Sequence, residues 1–126
     1  MTDLPLSGCR VLVVEDEFLI ADELRGELAG AGAQVLGPIG HLEGALTLAR
    51  AEGTIDAAVL DLNLGGTEVF PLADLLIERG VPVVFSTGYD AASLPSRFAA
   101  VPTCLKPVPI SALVTAVKNA FRPPQT

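Results

Sequence analysis

The stretch Ala57-Ala58-Val59-Leu60-Asp61 decides the fold, and the glycine-containing stretch Leu62-Asn63-Leu64-Gly65-Gly66 follows it directly. A short aliphatic run that ends in a polar residue and glycines is typical of a strand buried on both faces of a sheet. In open α/β sheets, ligands collect beyond the carboxyl ends of the strands, so Asp61 is a candidate reactive group. The alternative is an aspartate that caps a helix or a turn.

Four further runs of apolar residues predict strands at 9–14, 33–36, 82–86 and 103–105, with amphipathic helices between them. Gly37-Pro38 is expected to end the second strand. Pro95 predicts that the helix over 90–100 is short or irregular. Five buried strands that alternate with helices predict an α/β fold, with a parallel sheet covered by helices on both faces.

The composition favours one domain over residues 1–126, because 126 residues with 50% hydrophobic content fit a single core. A net charge of -7, from 8 basic and 15 acidic side chains, argues against nucleic-acid binding. No apolar run approaches the roughly 18 residues of a membrane span, and the first residues lack the pattern of a signal peptide. A soluble cytoplasmic protein is expected, and the tail 122–126 is too short for an output domain.

Polar side chains follow four of the five predicted strands. They are Glu15 and Asp16, Asp61, Thr87 and Lys106. Three carboxylates at one edge of a sheet raise one another's pKa or recruit a cation. Mg²⁺ is the natural choice because it prefers oxygen ligands, so we expect Asp16 and Asp61 to bind it directly and Glu15 to bind it through water.

A carboxylate nucleophile can accept a phosphoryl group as an acyl phosphate, and Asp61 is the candidate nucleophile. Phosphoryl transfer is catalysed mainly by positioning and by neutralising the phosphoryl oxygens, which suits the metal, the Lys106 ammonium, the Thr87 hydroxyl and the Gly88 amide. Taken singly, Lys106 could be a surface charge and Thr87 a strand-end cap. As a set, they predict a phosphoacceptor site.

The chain resembles the receiver domain of bacterial two-component response regulators, from Arg10 to about Phe121. The motifs that carry the resemblance are Val11-Leu12-Val13-Val14-Glu15-Asp16-Glu17, Val59-Leu60-Asp61-Leu62-Asn63, Ser86-Thr87-Gly88 and Leu105-Lys106-Pro107. The loop that begins at Asn63 and the run Phe85-Ser86-Thr87-Gly88-Tyr89 look closest to stand-alone receivers that work beside alphaproteobacterial sensor kinases.

The resemblance implies a flavodoxin-like fold with sheet order 2-1-3-4-5. It also implies Mg²⁺ held by Asp16, Asp61 and the backbone carbonyl of Asn63, and a cis peptide bond between Lys106 and Pro107. The implied phosphodonor is the phosphohistidine of a sensor histidine kinase or of a histidine phosphotransfer protein. The implied state is a monomer or a phosphorylation-dependent dimer.

Two features depart from the family pattern. Family members often carry Tyr or Phe where this chain has Thr103, so the usual coupling of that aromatic to the threonine is in doubt. The fourth helix, often part of the family's signalling face, is interrupted by Pro95. Tyr89, two residues past Thr87, is interpreted either as a shield or partner contact near the acyl phosphate or as an exposed loop side chain.

The sequence therefore predicts a stand-alone receiver that phosphorylates itself on Asp61, with possible autophosphatase activity, and then switches an unidentified protein contact or drains phosphate from a kinase. An alternative keeps the fold as a phosphorylation-independent interaction module. A flavin-binding module would need a hydroxyl-rich loop where this chain has Glu15-Asp16-Glu17. Cys9 and Cys104 lie too many strands apart for a disulfide, so we expect two reduced core thiols.

Overall fold

A computed structural model describes residues 4–88 and 94–121 of the chain. In chain order, the elements are β1 (Arg10–Val14), α1 (Phe18–Gly30), β2 (Gln34–Ile39), α2 (Leu42–Ala51), β3 (Ala57–Asp61), β4 (Asn63–Leu64), β5 (Thr67–Glu68), α3 (Phe70–Glu78), β6 (Val83–Thr87), β7 (Thr103–Leu105) and α4 (Ile110–Ala120). None of the helices in the described ranges has the length and apolar character needed to cross a bilayer.

The main sheet has five parallel strands in the order β2-β1-β3-β6-β7. Numbered among themselves, these strands follow the order 2-1-3-4-5, which confirms the predicted fold. Because all of them run in the same direction, their carboxyl ends meet at one edge of the sheet. That edge is where the predicted site residues lie.

The side chains of the central strands alternate between two apolar clusters, one on each face of the sheet. Leu12, Leu60 and Phe85 pack with α2 and α3. Val13 and Val59, on the same strands, pack with α1 and α4. Burial on both faces explains why these strands read as continuous aliphatic runs with no polar alternation.

The prediction that Gly37-Pro38 ends the second strand is wrong, since β2 continues to Ile39. Gly37 has a φ of 100°, and the pairing of β1 with β2 shifts register between Leu12 and Val14. A bulge at a glycine lets the strand resume past the irregularity. Pro38 is tolerated there because β2 is an edge strand, where a missing N–H leaves no ladder bond unmade.

The residues after β3 form a small antiparallel hairpin, which the sequence analysis treated as a loop. Asn63 pairs with Glu68, and Leu64 pairs with Thr67. Gly65 and Gly66 join the two strands with φ values of 60° and 95°. Two successive positive φ angles are what a tight two-residue hairpin turn requires, and two glycines supply them without strain.

The segment before β7 is irregular in its described part, as Pro95 predicts. Residues 96–98 form a single 3-10 turn that follows Pro95, while residues 90–93 of the predicted helix lie outside the described ranges. Phe98 anchors the turn, because its ring lies 5.3 Å from the ring of Phe70 and 5.4 Å, edge-on, from that of Phe85.

Both cysteines are free, as predicted, but only Cys9 belongs fully to the core. Cys104 is half-buried because β7, at the edge of the sheet, is short and less covered than the central strands. Burial raises the pKa of the Cys9 thiol to about 11, and the nearby Asp56 carboxylate adds to the shift. The Cys9 thiol is therefore a weak nucleophile at neutral pH.

We expect Phe98→Ala to lower the free energy of unfolding by about 3 to 5 kcal/mol, because it empties a fully buried aromatic position. Urea unfolding followed by circular dichroism measures this change. Phe18→Ala is the control, since Phe18 is 76% exposed and the loss of its ring should cost less than about 0.5 kcal/mol. Equal, small effects of the two variants would show that the 3-10 turn is not anchored by Phe98.

Candidate phosphoacceptor site

The Lys106 ammonium lies among three carboxylates at the carboxyl edge of the sheet. Its Nζ is 3.0 Å from Glu15 Oε1, 3.0 Å from Glu17 Oε1 and 3.1 Å from Asp61 Oδ2. Glu15 follows β1, Asp61 ends β3 and Lys106 follows β7, so the parallel sheet brings together residues up to 91 positions apart. The convergence that the sequence predicts is therefore present.

Backbone amides orient two of these carboxylates. The Asn63 N–H donates to Asp61 Oδ1 at 3.1 Å, so each oxygen of Asp61 has a hydrogen bond. The Glu17 N–H donates to Glu15 Oε2 at 3.1 Å. The Asp61 side chain thus has a fixed orientation before any ligand arrives, which lowers the cost of ordering it during a reaction.

Burial and charge act together on the ionisation of the site. Burial, together with the neighbouring Asp61, raises the pKa of Glu15 to about 7, although the Glu17 N–H and the Lys106 ammonium pull it down. Burial alone would lower the pKa of Lys106. Its hydrogen bonds to Glu15, Glu17 and Asp61 outweigh that effect and raise the pKa above the ordinary value, so Lys106 stays charged at neutral pH.

Thr87 and Gly88 lie at the same edge, at and just after the end of β6. Thr87 is buried, and its carbonyl accepts a hydrogen bond of 2.6 Å from the Lys106 N–H, which ties β7 to β6 at the site. Gly88 lines an open cavity of about 310 Å³ together with Asp16, Asp61, Asn63 and Lys106. This cavity gives a small anion access to the carboxylates and the ammonium.

Four acidic side chains lie close enough to share one metal ion. Each of Glu15, Asp16, Glu17 and Asp61 offers a carboxylate oxygen, and these oxygens lie within 4.8 Å of one another. A set made only of oxygen ligands, with two exposed members open to water, fits Mg²⁺, which keeps several waters when bound. With Lys106 ionised, four ionised carboxylates leave a net charge of -3, which a divalent cation reduces to -1.

No site role was predicted for Glu17. Glu17 directly follows Glu15-Asp16 at the end of the predicted first strand, and in the structure it directly precedes α1. Its side chain makes no capping bond to α1 and contacts Lys106 instead. A third acid after a predicted strand end was the available signal.

Three features that the sequence singled out are a cis peptide bond, Thr103 and Tyr89. The Lys106-Pro107 peptide bond is cis, as the resemblance implies, and Gly37-Pro38 is cis as well. Thr103, at the position where relatives often carry an aromatic residue, donates its hydroxyl to the Val101 carbonyl at 3.1 Å. Tyr89 lies outside the described residues.

The chain is similar to several solved response regulators. It is 38% identical to SdrG from Sphingomonas melonis Fr1, with a TM-score of 0.73 over 92% of this chain and 95% of that one. The BeF₃-activated conformation of SdrG from Pseudomonas melonis Fr1 has 36% identity and a TM-score of 0.69, over 94% and 99% of the two chains. A CheY-like response regulator receiver domain from Methylobacillus flagellatus has 24% identity and a TM-score of 0.72, over 89% and 98%.

The parallel sheet of order 2-1-3-4-5, with carboxylates and a lysine at its carboxyl edge, defines the receiver class of protein. With SdrG matched over nearly its whole length at 38% identity, the chain belongs to the response regulator receiver family. No family model and no curated protein matches the chain.

The raised pKa of Glu15 predicts a pH dependence of stability. The pKa is about 7 in the folded state against an ordinary 4.5, so the folded protein holds this proton more tightly than the unfolded chain. The free energy of unfolding should therefore fall as the pH rises from 4.5 to about 7. Glu15→Gln should remove on the order of 1 to 3 kcal/mol of that fall.

Urea unfolding at a series of pH values, without divalent metal, measures this difference. Titration of groups that Glu15 does not contact is common to both proteins and cancels in the comparison. Identical pH profiles for the wild type and Glu15→Gln would contradict the assignment.

Proposed function

We propose that this receiver accepts a phosphoryl group on Asp61 in the presence of Mg²⁺, with a sensor histidine kinase or a histidine phosphotransfer protein as the donor. The observation that carries the proposal is the contact of 3.1 Å between Lys106 Nζ and Asp61 Oδ2, inside a cluster of acidic side chains. It combines a nucleophile with the positive charge that the transferred group needs.

The chain's own residues account for most of the reaction. An Asp61 oxygen forms a bond to phosphorus as the bond between phosphorus and the donor breaks, and a histidine donor keeps the electron pair and takes up a proton. The Asn63 N–H and Lys106 hold the carboxylate in place for this attack. The Lys106 ammonium, the Thr87 hydroxyl and the Gly88 N–H are then the groups that contact the phosphoryl oxygens.

Asp16, Asp61 and the Asn63 carbonyl would hold Mg²⁺ directly, and Glu15 would hold it through water. When bound, the ion neutralises phosphoryl oxygens and lowers the repulsion between the carboxylates and the incoming anion. The ion also offsets charge that Lys106 alone does not balance. A BeF₃-activated conformation of SdrG supports the proposal, because SdrG is related to this chain along nearly its full length.

The downstream effect that we propose is a change in a protein contact, or the drainage of phosphate from a kinase. The acidic composition, with 8 basic against 15 acidic side chains, favours protein partners over nucleic acid. The alternative, an interaction module that ignores phosphate, would not need a lysine and an aspartate held at 3.1 Å.

Incubation with acetyl phosphate and Mg²⁺ should add the mass of one phosphoryl group to the wild type, measured on the intact protein. Asp61→Asn should show no gain, because an amide does not attack phosphorus. Chelation of the metal should reduce the gain by at least about tenfold, because the repulsion between anions returns.

Asp74→Asn is the matched control. It removes an exposed aspartate that pairs with Arg97 away from the site, so its phosphorylation should equal that of the wild type. A wild type that gains no mass, or an equal gain in Asp61→Asn, would favour the phosphorylation-independent module.

Asp16→Asn should weaken Mg²⁺ binding by about tenfold or more, equivalent to about 1.4 kcal/mol, because a charged ligand is replaced by a neutral one. Isothermal titration calorimetry measures the affinity. Glu27→Gln removes the same charge from an exposed position on α1 and should leave the affinity within about twofold of the wild type. Equal effects of the two substitutions would rule out Asp16 as a ligand.

A further inference from the structure

The Lys106 ammonium uses all of its hydrogen-bonding capacity within the protein. A lysine ammonium has three hydrogens to donate. The structure gives three carboxylate partners, Glu15 Oε2 at 3.2 Å, Glu17 Oε1 at 3.0 Å and Asp61 Oδ2 at 3.1 Å. A phosphoryl oxygen that binds Lys106 must therefore displace one of them.

The three partners differ in how firmly they are held. The side chains of Glu15 and Asp61 are only 4% and 7% exposed, and each accepts a further bond from a backbone N–H. The Glu17 side chain is 58% exposed. Removing a partner from a buried charge is costly, whereas an exposed carboxylate regains water when it leaves.

Glu17 is also the partner whose release disturbs the chain least. Its N–H bonds to Glu15, and its carbonyl accepts the Ala21 N–H in the first turn of α1, so the backbone stays in place. Its side chain makes no capping bond to the helix. Only side-chain torsions change when its carboxylate leaves Lys106.

We propose that Glu17 is a positioning residue that occupies Lys106 in the unphosphorylated protein and competes with the incoming phosphoryl oxygens for the ammonium. This inference rests on the proposed function, because it needs Lys106 to bind the phosphoryl group. Glu17 keeps the Lys106 ammonium directed into the cluster of carboxylates. Until a phosphoryl oxygen takes the place of Glu17, the site binds anions more weakly. The residue thereby sets how readily a phosphodonor is used.

The test compares the dependence of phosphorylation rate on acetyl phosphate concentration in the wild type and in Glu17→Gln, at saturating Mg²⁺. We expect the half-saturating concentration to fall about two- to fivefold, which is the range for losing an exposed ion pair. The maximal rate should change by less than about twofold, because Glu17 does not touch the reacting atoms. Glu17→Ala, a second variant, should behave in the same way.

Glu23→Gln is the matched control for the loss of one negative charge. Glu23 is an exposed carboxylate on α1 that lines the same groove as Glu17 and Lys106, but it is not one of the three partners of the ammonium. Its half-saturating concentration should stay within about 1.5-fold of the wild type. Mg²⁺ affinity, measured by calorimetry, should fall less in Glu17→Gln than in Asp16→Asn.

Each other outcome overturns the inference for a different reason. An equal fall in Glu23→Gln would show that the effect comes from overall charge. Mg²⁺ binding that weakens as much in Glu17→Gln as in Asp16→Asn would make Glu17 a metal ligand. A phosphorylated wild type with no change in Glu17→Gln would remove only the role of Glu17, whereas a wild type that takes up no phosphoryl group would remove the proposed function and this inference together.

Discussion

The site depends on one half-buried ammonium placed among carboxylates that would otherwise repel one another. Lys106 is 14% exposed, and its partners Glu15 and Asp61 are less exposed still. In such surroundings, charges interact more strongly than they do in water, so the lysine and its partners fix one another's positions. Take away the lysine, and Glu15 and Asp61 would share the pocket as two like charges.

The order of the strands makes this contact possible. β7 is two strands away from β3 in the sheet, a separation of about 10 Å at ordinary strand spacing. Only a long side chain at the end of β7 spans that distance to Asp61. The bond from the Lys106 N–H to the Thr87 carbonyl fixes the end of β7 against β6, so the base of the side chain is placed by the sheet itself.

Much of this arrangement could be predicted because doubly buried parallel strands leave a strong signal. The aliphatic run that ends at Asp61 gives both the strand and the place of its last residue, and the same reasoning places Lys106. Local backbone geometry was harder to predict. The bulge at Gly37 depends on pairing with β1, and the role of Glu17 depends on Lys106, which is remote in sequence. Neither feature can therefore be predicted from the residues that surround it in the sequence.

The charged cluster lowers the stability of the fold, and this cost is itself an argument for function. Well-packed apolar side chains often stabilise a protein better than a buried ion pair, because the charges lose water on burial. Here Glu15 is buried with a raised pKa, and the hydroxyl of the buried Ser86 next to the site finds no hydrogen-bond partner among the described residues. A sequence selected only for folding would fill this edge with aliphatic residues, like those at the interior positions of the same strands. The charged cluster is retained where the fold gains least from it, at the edge where parallel strands present their chemistry.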